Sequence, residues 1–336
     1  MNNEQLGLVV IGRNEGDLLR QCLESAITSI PHVVYVDSGS TDGSIAMARS
    51  LGVEIVELDL SIPFTAGRAR NEGFNYLTAK YPQIELVQFV DGDCEIVSGW
   101  LKIARETLEK RADIAIACGR RRERYPDRLY NRLCDLEWDT PIGEAKACGG
   151  DFMIRVSAFE RVRGFNPNLI AGEEPELCIR LRQQGWKILR IDADMTLHDA
   201  QMSSIKQWWQ RALRAGYAYA EGACLYGKTA ERHWVRESRS IWFWGLGLPL
   251  VAIALLLPTN NLSVLLSFLY VVVIYRVYQS LSQQLTRKDA LFYAIHCVMS
   301  KFPQTQGQIR FHWQRLQGEP SNIIEYKLKK ISSNAE

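Results

Sequence analysis

Leu6–Ile11 is a short apolar run rich in valine, and it predicts a buried strand. Leu18, Leu19, Cys22, Leu23, Ala26 and Ile27 then recur at helical spacing. His32–Val36 predicts a second strand that ends at Asp37, followed by the turn cluster Ser-Gly-Ser-Thr-Asp-Gly and a helix over Ser44–Leu51. Val53–Leu58 reads as a third strand, and Thr65–Ala79 as a helix weakened by Gly67 and Gly73. Glu85–Val90 is a fourth strand with Asp91-Gly92-Asp93 at its end. Strands alternating with helices imply parallel pairing with helices on both faces. In such sheets ligands bind beyond the carboxyl ends of the strands. Asp37 and the Asp91–Asp93 pair both fall at that edge.

The alternation continues with a helix at Ser98–Lys110, strands at Asp113–Cys118, Gly149–Arg155 and Trp186–Ile191, and a helix at Glu176–Gln184 stopped by Gly185. The basic run Arg120-Arg121-Arg122-Glu123-Arg124 reads first as a solvated face and second as a meeting place for a lipid-linked diphosphate or anionic headgroups. After Gln207 the texture changes. Ile241–Leu257 is apolar and uncharged, Pro258–Asn261 is a turn, and Leu262–Tyr275 is apolar again. Two such runs predict a helical membrane hairpin, each arm slightly short of the roughly 20 residues a lone span needs. Trp242, Trp244, Tyr270, Tyr275 and Tyr278 are candidate interfacial anchors. Basic residues flank the hairpin (Arg232, Arg236, Arg239, then Arg287, Lys288) and are missing from its turn, which places both flanks in the cytosol. A buried hairpin or a re-entrant pair is the competing arrangement. In the tail, Leu291, Phe292, Ile295, Val298, Met299 and Phe302 keep helical spacing, with Arg310, Arg315, Lys327, Lys329 and Lys330 beyond. This fits an interfacial helix with a basic companion, or an amphipathic helix packed on the rest of the chain.

Composition adds exclusions. A net charge of +2 over 336 residues gives no nucleic-acid footprint. The N-terminus has no basic segment ahead of an apolar one, so no cleavable signal peptide is expected. The eight cysteines include no C-x-x-C pair and read as reduced, mostly buried thiols.

The chemistry centres on Asp91-Gly92-Asp93. Hard divalent ions take oxygen ligands and commonly bridge protein carboxylate to diphosphate. The intervening glycine permits a tight turn and close ligand approach. With VVIGRNEGDLL, VVYVDSGSTDGS, AGRARNEGF, FVDGDCEI, GGDFMIR, GEEPELCIRLRQQGW and LHDA in that order, the first two hundred residues resemble a family 2 inverting glycosyltransferase. The later membrane hairpin resembles that of polysaccharide-assembly members.

The resemblance implies an α/β glycosyltransferase-A fold, with a Rossmann-like, mostly parallel sheet and a C-terminal helical membrane hairpin. It implies donor contacts at Glu15, Asp37, Arg70 and Asp91. It places Mg²⁺ or Mn²⁺ on Asp93 and Asp91, with His198 of LHDA as a third ligand. Glu174, with Glu173 beside it, would be the base that takes the acceptor proton, although the family more often has Glu-Asp there. Asp151 and Trp209 are the candidate acceptor contacts. Each has a structural alternative: Asp37 and Asp151 as turn residues, Glu15, Glu173 and Glu174 as acids at helix starts, Arg70 as a surface helix residue, His198 as a hydrogen-bonder, and Trp209 as a packing residue. The Q-x-x-R-W pattern of processive relatives is incomplete at Gln207–Ala212, which argues against a processive polymer synthase.

The expected organisation is a cytosolic catalytic domain at 1–215, an amphipathic connector at 216–240, a membrane hairpin at 241–279 and a basic amphipathic tail at 280–336. The expected partners are a nucleotide-sugar donor (UDP before GDP), a lipid-linked or other glycan acceptor and a membrane, but no nucleic acid. The expected place is the inner, cytoplasmic membrane with the catalytic domain facing the cytoplasm. Two rivals remain: a nucleotidyltransferase, which lacks the Gly-rich basic loop it would need near the first strand, and a membrane-tethered scaffold derived from a transferase.

Overall fold

The computed structural model describes residues 3–319 and Ile324. The expected basic residues Lys327, Lys329 and Lys330 lie outside them. The described residues divide into two compact units, the first comprising residues up to Leu169 together with Glu173–Ser203, the second Ile170–Gly172 and the described residues from Ser204 onward.

The first unit holds one mixed sheet. Its strands are β1 (Leu6–Gly12), β2 (His32–Asp37), β3 (Glu54–Glu57), β4 (Leu86–Asp91), β5 (Cys94–Ile96), β6 (Ile114–Glu123), β7 (Gly143–Ala145), β8 (Phe152–Arg155) and β9 (Lys187–His198). The order is β3-β2-β1-β4-β8-β6-β9-β5, with β7 on β9. β3, β2, β1 and β4 pair in parallel, as does β6 with β9, while β8 enters antiparallel between β4 and β6. β1, β2 and β4 are buried almost end to end, the pattern of strands covered on both faces.

Register places the chemistry. Gly12 pairs with Asp37 and Ile11 with Asp91, so the two aspartates flank the end of β1 two strand spacings apart, about 10 Å. Two strands run further than the apolar pattern alone predicts. β6 continues past Cys118 to Glu123, and β9 continues past Ile191 to His198. Their pairing sets Glu123 opposite His198, and β5 sets Cys94 opposite His198.

The helices of this unit are α1 (Asp17–Glu24), α2 (Ser44–Ser50), α3 (Ala66–Lys80), α4 (Trp100–Lys110), α5 (Leu129–Glu137), α6 (Val156–Arg161) and α7 (Glu173–Gln183). α3 starts at Thr65, whose hydroxyl accepts from the Arg68 N–H at 3.1 Å. Its glycines are a packing requirement. A Cβ on Gly73 would lie 2.5 Å from Val9 Cγ1 and 2.8 Å from Val36 Cγ2. The helix thus presses against β1 and β2, and Arg70, three residues away on the same face, is carried into the interior at the sheet edge.

The second unit is helical: α8 (Ile205–Tyr226), α9 (Val235–Trp242), a π-turn at Phe243–Gly247, α10 (Leu248–Ala254), a 3₁₀ turn at Leu262–Ser267, α11 (Phe268–Leu281), α12 (Arg287–Met299) and α13 (Lys301–Gln317). α8 opens with a capping box between Ser204 and Gln207. α8 and α13 touch backbone to backbone. A Cβ on Gly216 would lie 2.0 Å from the Gln304 carbonyl oxygen, and one on Gly307 2.1 Å from that of Leu213. Leu213, Tyr217, Ala220, Ile170, Phe311 and Ile324 form the core here. On α12 the buried positions are the small Ala290 and Ala294 with Val298, while Leu291 and Met299 of the expected apolar stripe are exposed. Tight helix contact selects the small residues and leaves the large ones outside. The run Leu262–Leu281, 20 residues long, is long and apolar enough to cross a membrane. Leu262, Leu265 and Phe268 are more than half exposed.

Candidate active site

Arg70 is the hub of the first unit's carboxyl edge, and it is fully buried. Its Nη2 donates to Asp91 Oδ1 at 2.7 Å and its Nη1 to Glu173 Oε1 at 3.0 Å. Glu174 Oε1 lies 4.0 Å from Nη2. Burial disfavours the charged guanidinium, but the three carboxylates outweigh it and hold the cation above its already high range. An arginine fork suits this task because it meets several oxygens in fixed directions.

Asp91 is held from every side. Besides Arg70, Arg121 Nη2 approaches Oδ2 at 3.3 Å, and the Asp91 N–H donates to Asp151 Oδ1 at 3.0 Å. Burial pushes its acidity one way, but Arg70 and Arg121 prevail and keep it below the usual carboxylate range. Asp151, a candidate acceptor contact, is committed to internal contacts as well. Its Oδ2 accepts from Thr196 Oγ1 at 2.7 Å and faces Arg121 at 2.8 Å, and the side chain is fully buried. A Cβ on Gly150 would meet Arg70 Nη2 and Asp91 Oδ2, each at 2.9 Å, which leaves glycine as the residue that fits there.

Asp93 and His198 face one another, Oδ2 to Nε2 at 3.2 Å, and both are buried. The other ring nitrogen, Nδ1, lies 3.5 Å from Glu123 Oε2. Burial lowers the imidazole's proton affinity, but Asp93 and Glu123 raise it further, so it sits above the ordinary range. Asp93, Cys94 and His198 offer ligand atoms within 4.8 Å of one another. Burial and neighbouring carboxylates push the Cys94 thiol well up, so it stays a neutral donor to Asp93 Oδ1 at 3.5 Å. An oxygen–nitrogen donor set beside a second carboxylate, Asp91, fits a divalent ion such as Mn²⁺, which takes carboxylate oxygen and accepts an imidazole nitrogen more readily than Mg²⁺ does.

Glu173 and Glu174 open α7, where the helix dipole favours negative charge. Their roles diverge. Glu173 is bound to Arg70, whereas Glu174, more weakly paired, is pushed up to about 7 by burial and by Glu173. Asp37 has three internal donors: the Tyr35 hydroxyl and the N–H groups of Gly39 and Ser40, each at 2.8 Å. It thus shapes the turn after β2. Glu15 stands at the strand ends, its Cγ within 3.3 to 3.5 Å of where a Cβ on Gly12 or Gly92 would be. Trp209 lies on α8 in the second unit, and its indole N–H donates to Gln306 Oε1 at 2.9 Å.

The structure brings in residues the sequence pattern did not single out. The basic run is not a solvated face throughout: Arg120 is buried, Arg121 is half-buried and Arg122 is exposed. Arg121 lies over the Trp138 ring at 5.5 Å, and the same ring meets His198 edge-on at 4.8 Å. The available signal was the alternation of strand side chains carried past Cys118.

Residues 8–163 match the family described as Glycosyl transferase family 2. That stretch resembles a family 2 glycosyltransferase domain and spans a little under half of the chain. That match covers strands β1 to β8, including Asp37, Arg70, Asp91, Asp93 and Asp151. Among curated relatives, a TPR repeat-containing protein of Synechococcus elongatus is 27% identical over 138 residues, 41% of this chain and 32% of that protein. The uncharacterized glycosyltransferase YibD of Escherichia coli is 32% identical over 100 residues, 28% of each. The chain thus aligns with about a third or less of these relatives. In structure, the chain resembles the mannosyltransferase PcManGT from Pyrobaculum calidifontis, solved in complex with GDP-Man and Mn²⁺. The TM-score is 0.63 at 15% identity, covering 93% of this chain and 88% of that one. The first unit therefore has the glycosyltransferase-A fold, a mixed sheet whose first four ordered strands run parallel.

Proposed function

We propose that this protein is a metal-dependent inverting hexosyltransferase that moves a sugar from a nucleotide-diphospho-sugar to an acceptor hydroxyl. The observation that carries the reading is Glu174. It is a carboxylate poised near neutrality at the start of α7, 4.0 Å from the arginine that grips Asp91. A base works best with its proton affinity near the operating pH. Glu173 is engaged by Arg70, so Glu174 is the residue with a free task.

In this reading Asp37, Glu15 and Asp91 line the donor site along the strand ends, with Arg70 orienting Asp91. Asp93 and His198, with Asp91, would hold Mn²⁺ or Mg²⁺, and the nitrogen ligand favours Mn²⁺. The ion, when bound, stabilises negative charge on the departing diphosphate. Glu174 accepts the proton of the acceptor hydroxyl as its oxygen bonds to the anomeric carbon and the bond to the diphosphate breaks. UDP is the preferred nucleotide from the sequence, and the GDP-Man complex of the structural relative adds GDP to the panel. The exposed apolar run Leu262–Leu281 supports attachment to a membrane, with the catalytic unit on the cytoplasmic side and a lipid-linked glycan as acceptor in polysaccharide assembly.

The test is donor turnover by the detergent-purified protein with UDP-, GDP- and dTDP-sugars, with Mn²⁺ and then EDTA, in the presence of membrane extract. Chelator-sensitive release of nucleoside diphosphate from one donor is expected. No release from any donor, or diphosphate release from a nucleoside triphosphate instead, would overturn the proposal.

A further inference from the structure

Glu123 takes no part in the reaction above, yet its side chain is fully buried at the last position of β6. It is anchored by neutral donors. Asn131 Nδ2 gives to Oε1 at 2.9 Å and the Tyr125 N–H to Oε1 at 3.3 Å. The Ala200 N–H spans both oxygens, at 3.1 Å from Oε2 and 3.4 Å from Oε1. Asn131 is itself fixed, because its Oδ1 accepts from the Met202 N–H at 3.0 Å. So α5 and the chain leaving β9 converge on one carboxylate.

His198 stands between two carboxylates, Glu123 at Nδ1 and Asp93 at Nε2. Trp138 closes one side of the ring, edge-on at 86°. Nδ1 is buried and makes no hydrogen bond to the described residues as it stands; the carboxylate it faces, 3.5 Å away, is Glu123 Oε2.

We propose that Glu123 is a positioning residue that accepts the Nδ1 proton of His198 and so keeps the Nε2 lone pair aimed at the cation beside Asp93. The inference rests on the metal reading of Asp93 and His198. A neutral imidazole carries one proton, and its ligating nitrogen must be the other one. An ionised carboxylate only accepts; once the cation takes Asp93 and Nε2 as ligands, the ring's one proton is left on Nδ1, facing Glu123. Carboxylate partners of this kind hold ligating histidines in other metal sites.

Glu123→Gln discriminates this from a purely structural role. Three donors face Oε1, so the amide oxygen settles there and the NH₂ takes the Oε2 position. It then donates to Nδ1, moves the ring proton to Nε2 and blocks the ligand lone pair. Free Mn²⁺ is counted by electron paramagnetic resonance against the wild type, Glu123→Gln and Asp93→Asn. The Glu123→Gln chain should bind Mn²⁺ about 10- to 100-fold more weakly. In parallel, ¹⁵N imidazole spectra of the Mg²⁺-loaded wild type should show His198 protonated at Nδ1. The chain has five histidines, so the signal is assigned by its loss in His198→Asn. Binding that Asp93→Asn leaves intact would sink the metal reading, and Glu123's role with it. Asp93-dependent binding that a folded Glu123→Gln retains in full would sink Glu123's role alone. Should that variant fail to fold, a wild-type ring protonated at Nε2 overturns Glu123's role by itself.

Discussion

Arg70 on α3 and Asp91 at the end of β4 are joined by a 2.7 Å hydrogen bond, the shortest of the contacts Arg70 makes to three carboxylates. Removing the cation leaves Glu173 and Asp91 without their shared partner in the interior. Arg70→Ala is expected to cost about 3–5 kcal/mol of stability, read from denaturant midpoints. Arg70→Lys should recover only part of the loss, because an ammonium cannot reproduce the fork.

Glu174 gives a pH signature with opposite signs for rate and stability. A base acts in its ionised form, so transfer should rise with pH through about 7 and level off above it. A raised carboxylate pKa means the folded protein holds that proton more tightly than the unfolded chain. Its contribution to stability is present below the ordinary glutamate range and is lost as pH rises through about 7. Glu174→Gln should lower the rate by about 10²–10⁴-fold while removing that loss of stability. A pH–rate profile and thermal melts at pH 5 and 8 check both halves.

Metal binding should stabilise the fold by mass action. Mn²⁺ at a hundred times its dissociation constant is expected to add about 2.7 kcal/mol, seen as a rise in Tm that EDTA reverses. Asp93→Asn and His198→Ala should each reduce that rise, since both face the same position at the edge of the sheet.

In the second unit, Gly216→Ala tests the α8–α13 contact. Its new carbon would fall 2.0 Å from the Gln304 carbonyl oxygen, a backbone atom that cannot swing aside. Forcing the helices apart should cost about 1–3 kcal/mol. Limited proteolysis should then cut within residues 204–319 before it cuts the first unit.

What the sequence made legible follows from locality. Val-rich runs ending in Asp37 and in Asp91-Gly92-Asp93 could be read as strands with chemistry at their tips, and β1, β2 and β4 are where that reading puts them. Arg121 and Glu123 escaped because a run of charges looks solvated in one dimension. Only the pairing of β6 with β9, across more than seventy residues, shows that Glu123 meets His198. The antiparallel insertion of β8 was hidden for the same reason, since no local pattern records which neighbour a strand will choose. Asp151 was noticed for a contact outward, and its commitment inward depends on Thr196 and Arg121, both far away in the chain.

That inward commitment has a consequence for how fast the site can work. With Asp151 holding the backbone of Asp91, and Arg70 and Arg121 holding its carboxylate, the loop has no slack to lose when a donor arrives. The entropy of ordering it, about 0.5–1.5 kcal/mol for each side chain fixed, is spent once, when the chain folds, and does not recur at every turnover. In the proposed reaction an incoming diphosphate would meet a template already held in place, and the motion that limits the cycle would be sought elsewhere in the molecule.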